Sequence, residues 1–420
     1  NDYRKKFLHK VGLRVYGGYT KERREEWVRV TFFGAGRQVG RSCVFLQTPE
    51  SKVLLDCGVN VAFDDYNAYP LLDSPEFKIE ELDAIIISHS HLDHSGFVPF
   101  LYKMGFRGPM YCTPPTRDVS ALLALDYIGV AFKQARKMLF DVEDVKEMVK
   151  HTITLDWGEV TDITPDLRLT LYNSGHILGS SMAHLHIGNG LHNLVYSGDM
   201  KYLRTQVLDP ASTYFPRLET LIIESTYGGK DDILGSRKEA EVRLIRKVNE
   251  TVKRGGKILV PVLGVGRAQE VMLILEKALR EGLLEQVPIY VQGMVWDITA
   301  IHTAYPDYLN RDLRKAIFHH DENPFLSQTF KKVGSKKEQD AIIENEGPCV
   351  ILATAGMLNA GASLEYFKNL ADNPKNTIVF VSYLGEGTIV RRVQNGEKTI
   401  MIPSGNKPDT IRVNLEVATI

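Results

Sequence analysis

The sequence predicts an α/β protein with more than one domain. Its 420 residues are enough for two or more hydrophobic cores. From Trp27 the chain shows a series of short apolar runs typical of strands, whereas after Ser236 strands, glycine loops and helices alternate three times. Strands that alternate with helices imply a parallel sheet. We therefore expect a mixed first domain and a second domain built on a mostly parallel sheet.

Composition and charge exclude several classes of protein. The formal net charge of -1 rules out a global basic field, so any binding of nucleic acid must come from a local patch. Four cysteines without a C-x-x-C pair indicate reduced thiols and predict a cytoplasmic protein. No apolar run approaches the length of a membrane span, so we expect no membrane partner.

Residues 1–26 are rich in lysine and arginine. They predict a connector or a solvated helix face, and the alternative is a basic arm that touches a polyanion. Because the chain begins without methionine and ends just after a strand-like run, we expect it to be a fragment of a longer protein at both ends.

The first domain is predicted element by element from apolar runs and turn residues. Thr113-Pro114-Pro115 supplies a cap and a fixed first turn for a long helix to about Lys137, and a shorter helix covers about Val142–Lys150. The strands are expected at Val28–Phe33, Cys43–Leu46, Val53–Asp56, Ala84–Ser88, Met110–Cys112, Leu167–Tyr172, Ala183–Ile187 and Leu194–Tyr196.

The second domain follows a predicted buried strand, Leu221–Ile223, that ends in the carboxylate of Glu224. A capping box at Ser236-Arg237-Lys238-Glu239 opens a helix to about Arg254. Each of the next three units has a strand, a glycine loop and a helix. Their strands and loops are Ile258–Leu263 with Gly264-Val265-Gly266-Arg267, Val350–Ala353 with Thr354-Ala355-Gly356, and Ile378–Val381 with Leu384-Gly385-Glu386-Gly387.

These glycine loops predict a phosphate-binding edge. Loops at the carboxyl edge of a parallel sheet, each leading into a helix N-terminus, make anion sites. Arginines come close to two of the loops. The predicted phosphate or RNA contacts are Gly266, Arg267, Gly356, Arg391 and Arg392. Ordinary tight turns of an α/β domain are the alternative.

A cluster of histidines follows the apolar run Ala84–Ile87. His89 and His91 are two residues apart, so in an extended backbone they point the same way and can share one ion. Asp93 and His94 follow where the chain turns into a helix, so they can face a second ion. Imidazole and carboxylate together suit zinc. A polar loop with scattered histidines is the alternative.

Two later strands end in further ligand-type residues, His176 after Gly175 and Asp199 after Gly198. Alone, each would be a loop or turn residue, but the histidine cluster makes both candidate ligands. We predict two Zn²⁺ ions, one held by His89, His91 and His176, the other by Asp93 and His94, with Asp199 as the bridge. Asp56, after Val53–Leu55, is a candidate carboxylate that orients a ligand or a water, or else an ordinary turn residue.

Two metals about 3.5–4 Å apart can activate a shared water and stabilise an oxyanion on phosphorus or carbon. The motifs that would hold these two metals resemble those of the metallo-β-lactamase superfamily. Asp56, the His89–His94 cluster, His176 and Asp199 match its first four motifs in order. This resemblance implies an αββα sandwich with a di-zinc site at one edge.

From Glu224 onward the sequence resembles the β-CASP insertion of the nucleic-acid-processing branch, in which Glu224 matches the acidic motif. Gln292–Trp296 and Ala300–Pro306 resemble archaeal homologues of the cleavage and polyadenylation specificity factor nuclease. The resemblance implies KH domains before this chain and a homodimer in the full-length protein. The implied segments are 1–26 (connector), 27–215 (metallo-β-lactamase domain), 216–390 (β-CASP domain) and 391–420 (return to the first domain).

The sequence departs from the branch in two ways. Arg391 and Arg392 stand where the branch often has a histidine, and arginine cannot donate a proton usefully at neutral pH. A final zinc histidine is expected just beyond a strand such as Ile411–Val417, which would place it past Ile420. The second zinc site would then lack one ligand within this chain.

The resemblance implies a zinc-dependent endoribonuclease, with 5′→3′ exonuclease activity as an additional expectation, acting in RNA 3′-end formation, transcription termination or decay. The expected partners are single-stranded RNA and the transcription machinery. Asp56, Asp93 and Glu224 are the expected catalytic residues. The alternatives are a non-catalytic RNA-binding scaffold, which the retained zinc ligands disfavour, and a small-molecule di-zinc hydrolase, which the Glu224–Arg392 insertion disfavours.

Overall fold

The computed structural model of the chain describes residues 2–16, 26–63, 65–233, 235–382, 388–402 and 409–420. The chain forms two compact units, Asn1–Arg204 with Leu208–Gly229, and Thr205–Val207 with Lys230–Ile420. The division thus falls near residue 229 rather than at the expected 215. The predicted glycine loop Leu384–Gly387 and part of the predicted connector, residues 17–25, lie outside the described residues.

The first unit contains two sheets. Its strands are β1 (Arg29–Gly34), β2 (Cys43–Gln47), β3 (Lys52–Leu55), β4 (Ala84–Ile86), β5 (Met110–Cys112), β6 (Thr152–Thr154), β7 (Val160–Thr164), β8 (Leu167–Asn173), β9 (Ser181–Ile187), β10 (His192–Tyr196) and β11 (Thr220–Ile222). The first sheet has the order β1-β2-β3-β4-β5-β6 and is parallel from β3 to β6. The second has the order β11-β10-β9-β8-β7 and is antiparallel except between β10 and β11.

The two helices predicted for the first unit begin where expected, at Pro114 and Val142. The α-helices are α1 (Asp2–Tyr16), α2 (Leu92–Ser95), α3 (Val98–Lys103), α4 (Pro114–Lys133) and α5 (Val142–Lys150), and Tyr66–Ala68 and Ile79–Glu81 are 3-10 turns. Thr113 caps α4, because its hydroxyl accepts a hydrogen bond from the Thr116 N–H. Helix α4 ends at Lys133, four residues before the expected Lys137.

The two sheets of the first unit pack face to face, and alternation along each strand decides which side chain goes where. Val44 and Leu46 of β2 join the core between the sheets. Cys43 and Phe45 point to the other face, where they share a core with residues of α3, α4 and α5. Two face-to-face sheets, with α3, α4 and α5 packed against the outer face of the first, form the predicted sandwich.

The second unit is built on one parallel sheet, as predicted. Its strands are β12 (Ile258–Pro261), β13 (Ile289–Gln292), β14 (Phe330–Val333), β15 (Val350–Ala353), β16 (Thr377–Phe380), β17 (Thr399–Ile402), β18 (Asp409–Arg412) and β19 (Glu416–Thr419). The sheet has the order β14-β13-β15-β12-β16-β19, with every pair parallel, and β17 and β18 form a separate antiparallel ribbon.

Helices cover both faces of this sheet. They are α6 (Arg237–Lys253), α7 (Arg267–Arg280), α8 (Met294–Ala304), α9 (Arg311–His320), α10 (Lys336–Glu344), α11 (Gly361–Leu370) and α12 (Ile389–Gln394), with 3-10 turns at Pro306–Tyr308 and Pro324–Leu326. Ile258 and Val260 join the core with α6, α7 and α8, whereas Leu259 joins the core with α11 and α12. Strands buried on both faces explain the continuous apolar runs in the sequence.

Three predictions for the chain's elements are wrong. The Leu221–Ile223 run is not buried: Leu221 is 47% and Ile223 54% exposed, because β11 is an edge strand. The Ile411–Val417 run is not one strand but parts of β18 and β19. Nor does 391–420 return to the first unit, because β19 pairs with β16 in the sheet of the second unit.

Candidate metal centre

The candidate ligands of the first unit meet where its strands end. Asp56 directly follows β3, and His89 follows β4, its parallel neighbour, so both lie at the same edge of the first sheet. His176 follows β8 and Asp199 follows β10 in the second sheet. Each of these four residues therefore lies on a loop that begins where a strand ends.

Four of the predicted ligands form a compact group. His89, His91, His176 and Asp199 each place one ligand atom within 4.8 Å of the others. His176 Nε2 lies 3.2 Å from His91 Nδ1 and 3.5 Å from Asp199 Oδ2. His89 Nε2 is buried, 3.9 Å from Asp199 Oδ2, and has no hydrogen-bond partner among the described residues. A buried imidazole nitrogen facing other imidazole and carboxylate donors fits a zinc ion.

The remaining two predicted ligands lie on the other side of Asp199. His94 Nε2 is 3.3 Å from Asp199 Oδ1 and 3.8 Å from Asp93 Oδ2. Asp199 thus presents Oδ2 to His89 and His176, and Oδ1 to His94. The structure brings together all six residues that the sequence predicts as metal ligands.

Electrostatics within the centre favour cation binding. Burial alone would raise the pKa of Asp199, but His94, His89 and His176 hold it well below its usual range. Burial and the neighbouring imidazoles lower the pKa of His89, which keeps that ring neutral. Burial opposes the charge on His94, but Asp199, Asp93 and Asp56 raise its pKa well above the usual value. A metal ion at His94 has to displace this proton.

Asp56 lies behind the ligands rather than among them. It is fully buried, and its carboxylate accepts hydrogen bonds of 2.7 Å from the Ser88 N–H, the Ser88 hydroxyl, His94 Nδ1 and the Tyr196 hydroxyl. In this position Asp56 can fix the orientation of the His94 ring. The roles of Ser88 and Tyr196 are not predicted from the sequence, although both residues stand directly beside predicted motifs.

The short helix α2 that carries Asp93 and His94 is held by backbone hydrogen bonds. The Ser42 N–H donates to Asp93 O and the Cys57 N–H to His94 O, both at 2.8 Å. Gly58 runs so close that a Cβ atom there would lie 1.8 Å from Asp93 O. The glycine of Asp56-Cys57-Gly58 is therefore required for packing against the metal motif.

Glu224, a predicted catalytic residue, is placed at the same end of the second sheet but outside the ligand group. It follows β11, and its N–H donates to the Ser197 hydroxyl at 3.1 Å. Its carboxylate accepts a hydrogen bond from the Thr226 N–H at 2.8 Å. Half-exposed and bonded to its own loop, Glu224 is positioned beside the loop that carries Asp199.

The predicted phosphate contacts lie in the second unit. Gly266 has a φ of 84° and caps α7, with its N–H donating to Gln269 Oε1 at 2.9 Å. Arg267 is the exposed first residue of α7. A Cβ atom on Gly356 would lie 3.1 Å from Leu263 N, so the first two glycine loops run close together at the carboxyl edge.

Arg391 and Arg392 are both engaged with neighbouring side chains. Arg391 Nη1 donates to Gln394 Oε1 at 2.7 Å. Arg392 forms a two-pronged pair with the Glu397 carboxylate, at 2.8 Å from Nε and 2.5 Å from Nη2. A phosphate would have to displace Glu397 to reach Arg392, so Arg267 is the better placed of the predicted cations.

Comparison with known families agrees with this architecture. The metallo-beta-lactamase superfamily domain matches residues 45–224, and the Beta-Casp domain matches residues 268–393. The chain therefore carries a metallo-β-lactamase superfamily domain followed by a β-CASP domain. This confirms the resemblance that the motifs indicate.

Archaeal transcription termination factors are similar to this chain over nearly its whole length. Transcription termination factor FttA of Methanocaldococcus jannaschii is 53% identical over 417 residues, covering 99% of this chain and 65% of the relative. The protein of the same name from Methanothermobacter thermautotrophicus is 54% identical over 411 residues, covering 98% and 64%. The chain thus spans a little under two thirds of the length of these relatives.

A solved structure shares the fold at low identity. The crystal structure of a protein of unknown function from Enterococcus faecalis V583 superposes with a TM-score of 0.53 and 12% identity. The superposition covers 94% of this chain and 87% of that one.

Among the described residues, no helix is both long and apolar enough to cross a membrane.

Proposed function

We propose that this chain is the catalytic part of a zinc-dependent ribonuclease that acts in transcription termination or RNA 3′-end formation. The observation that carries the proposal is the position of Asp199, with one carboxylate oxygen toward His89 and His176 and the other toward His94. A shared carboxylate between two ligand groups is the arrangement expected of a two-metal hydrolase. The name of the archaeal relatives supports the biological role.

In the proposal, His89, His91 and His176 would hold one zinc ion and Asp93 and His94 the other, with Asp199 as a ligand that both groups share. When bound, such a pair lowers the pKa of water and neutralises charge on a phosphodiester. Asp56 keeps His94 in a fixed orientation by accepting its Nδ1–H. Glu224, at the same end of the sheet, is proposed to assist the reaction from outside the ligand group.

We further propose that the second unit binds the phosphate backbone of the RNA. Gly266 and Gly356 lie in adjacent loops at the carboxyl edge of a parallel sheet, where a helix N-terminus favours an anion. Arg267 adds an exposed cation at that edge. Arg391 and Arg392 remain proposed contacts, with Glu397 as a competitor for Arg392. Assembly as a homodimer and contact with the transcription machinery are proposed for the full-length protein.

The test is cleavage of a labelled single-stranded RNA by the zinc-loaded protein. We expect Asp93→Ala and His94→Ala to abolish cleavage, because each removes a ligand from the second group. Asp162→Ala is the matched control, because Asp162 is an exposed carboxylate on the β7–β8 hairpin, and its ion pair within the described part of the chain is with exposed Arg168. Cleavage that survives chelation or the ligand variants would refute the proposal.

Two other results would replace the proposal with an alternative. Binding of RNA without cleavage by the fully zinc-loaded protein would point to a scaffold. Turnover of a thioester or lactone, with none of RNA, would point to a small-molecule hydrolase.

A further inference from the structure

A buried hydrogen-bond network connects the two ligand groups behind the candidate metal centre. Asp56 Oδ2 accepts from three side chains at 2.7 Å each, namely His94 Nδ1, the Ser88 hydroxyl and the Tyr196 hydroxyl. The Ser88 oxygen also lies 3.0 Å from His89 Nδ1. All five residues are at most 7% exposed. His89 and His94 belong to different ligand groups, so the network spans both.

The number of protons available in this network fixes the direction of each of its hydrogen bonds. The Asp56 carboxylate accepts from the Ser88 N–H as well as from the three side chains, which leaves its oxygens no role as donors. Ser88 has one hydroxyl proton and gives it to Asp56. Its oxygen must then accept from His89 Nδ1, so that nitrogen carries a proton. His94 Nδ1 carries a proton for the same reason.

Both rings therefore offer the same nitrogen to a metal. With Nδ1 protonated on His89 and His94, Nε2 is the nitrogen available for coordination. These two Nε2 atoms are the ones that face the Asp199 carboxylate, at 3.9 and 3.3 Å. One carboxylate behind the centre thus sets the tautomer of one ring in each group, directly for His94 and through Ser88 for His89.

We infer that Ser88 and Tyr196 are positioning residues of the metal centre, acting through Asp56 to couple its two metal positions. The inference rests on the proposed function only in that the ligand groups hold metal. Ser88 is the bridge to the His89 position. Tyr196 supplies the last donor to Asp56 and prevents its carboxylate from turning away from His94.

The surroundings of Ser88 support a positioning role independently of these hydrogen bonds. The Ser88 N–H donates to Asp56 Oδ1 at 2.7 Å, and its carbonyl accepts from the Ser181 N–H at 2.8 Å. Its side chain packs against Gly198, where a Cβ atom would lie only 2.4 Å from the Ser88 oxygen. The hydroxyl is thus confined between Asp56, His89 and the turn that carries Asp199.

The test measures metal affinity rather than activity. Zn²⁺ affinity is determined in competition with a chromophoric chelator, and Co²⁺ absorption reports the geometry of the bound ion. We expect Ser88→Ala to weaken binding by about 10- to 100-fold, the range for residues that orient a metal ligand. Tyr196→Phe, which removes one hydroxyl and keeps the ring, should weaken binding by roughly tenfold.

The chain offers matched controls for both substitutions. Ser120 and Tyr366 are buried, and their hydroxyls have no hydrogen-bond partner among the described residues. Ser120→Ala and Tyr366→Phe therefore remove the same atoms from a buried site without touching the network. Both should bind metal as the wild type does, within about twofold.

A double variant tests whether Ser88 acts through Asp56. In an Asp56→Asn background the further change Ser88→Ala should weaken affinity by less than about twofold, because the shared acceptor is already altered. Thermal melting of each metal-free variant checks that it is folded. If a variant does not fold, ¹⁵N shifts of the histidine rings in the zinc-loaded wild type take its place, with Nδ1–H expected on both His89 and His94.

The results separate this inference from the proposed function. Unchanged affinity in Ser88→Ala, a full additional loss in the double variant, or Nε2–H on either ring would overturn the inference, even in a protein that cleaves RNA. Tight zinc binding with the expected losses, but no cleavage of RNA, would overturn the proposed function and uphold the inference.

Discussion

Gly198→Ala tests whether the close packing behind the metal centre is real. Gly198 has a φ of 51°, and an added Cβ atom would lie 2.4 Å from the Ser88 oxygen and 2.5 Å from Ser88 Cβ. Crowding of this kind in a buried site costs about 1–3 kcal/mol. The left-handed backbone adds about 1 kcal/mol for a residue with a Cβ. We therefore expect the first unit to lose about 3 kcal/mol of unfolding free energy.

Gly158→Ala separates the crowding from the backbone cost. Gly158 also lies in the first unit, has a φ of 82°, and nothing lies within 4 Å of its hypothetical Cβ atom. It should lose only about 1 kcal/mol. Urea unfolding of the metal-free proteins, followed by intrinsic fluorescence, measures both changes. The difference between them reports the contact of Gly198 with Ser88.

The same variant has a functional consequence. Because Ser88 bonds both Asp56 and His89, a shifted Ser88 should also weaken zinc binding in Gly198→Ala and leave it unchanged in Gly158→Ala. Equal loss of stability in the two variants would refute the packing described for Gly198. Equal zinc affinity would refute the connection from that packing to the metal centre.

Three further predictions concern the second unit. Burial lowers the pKa of His302 to about 4, whereas in the unfolded chain this histidine takes up its proton near pH 6.5. The contribution of neutral His302 to the free energy of unfolding should therefore be complete above pH 6.5 and fall by about 3 kcal/mol as the pH decreases toward 4. Urea unfolding across this pH range measures the change. Ser236→Ala removes the acceptor for the Glu239 N–H and should cost about 1 kcal/mol, measured in the same way at pH 7.5. Arg267→Ala should reduce the salt dependence of RNA binding by about one phosphate contact, because Arg267 is exposed. Arg392→Ala should change the salt dependence little, because the Glu397 carboxylate already binds that guanidinium. A filter-binding titration in which Arg392→Ala has the larger effect would contradict these roles.

The metal ligands could be predicted from sequence because strands fix where they start. His89 and Asp199 each follow a buried apolar run, and such runs end at the edge of a sheet. Pairing of strands distant in the chain then brings the two loops together, which spacing alone does not reveal but the order of motifs implies. The parallel sheet of the second unit was predictable for the same reason, since its strands are apolar on both faces.

The residues behind the ligands were not predictable in this way. Ser88 and Tyr196 become important only because Asp56, more than 30 positions before Ser88 in the chain, is folded against both. Burial of the Leu221–Ile223 run was predicted wrongly, because apolar composition does not distinguish an edge strand from a central one. Likewise, the ion pair of Arg392 with Glu397 depends on the end of α12 and the turn after it, not on a motif.

The most direct test of the two-metal centre is the location of zinc in crystals of this chain, measured by anomalous scattering at the zinc edge. We predict two peaks, one among His89, His91 and His176 and one beside Asp93 and His94, with Asp199 in contact with both. Zinc bound away from these side chains, or bound with Asp199 in contact with neither ion, would contradict the proposed centre.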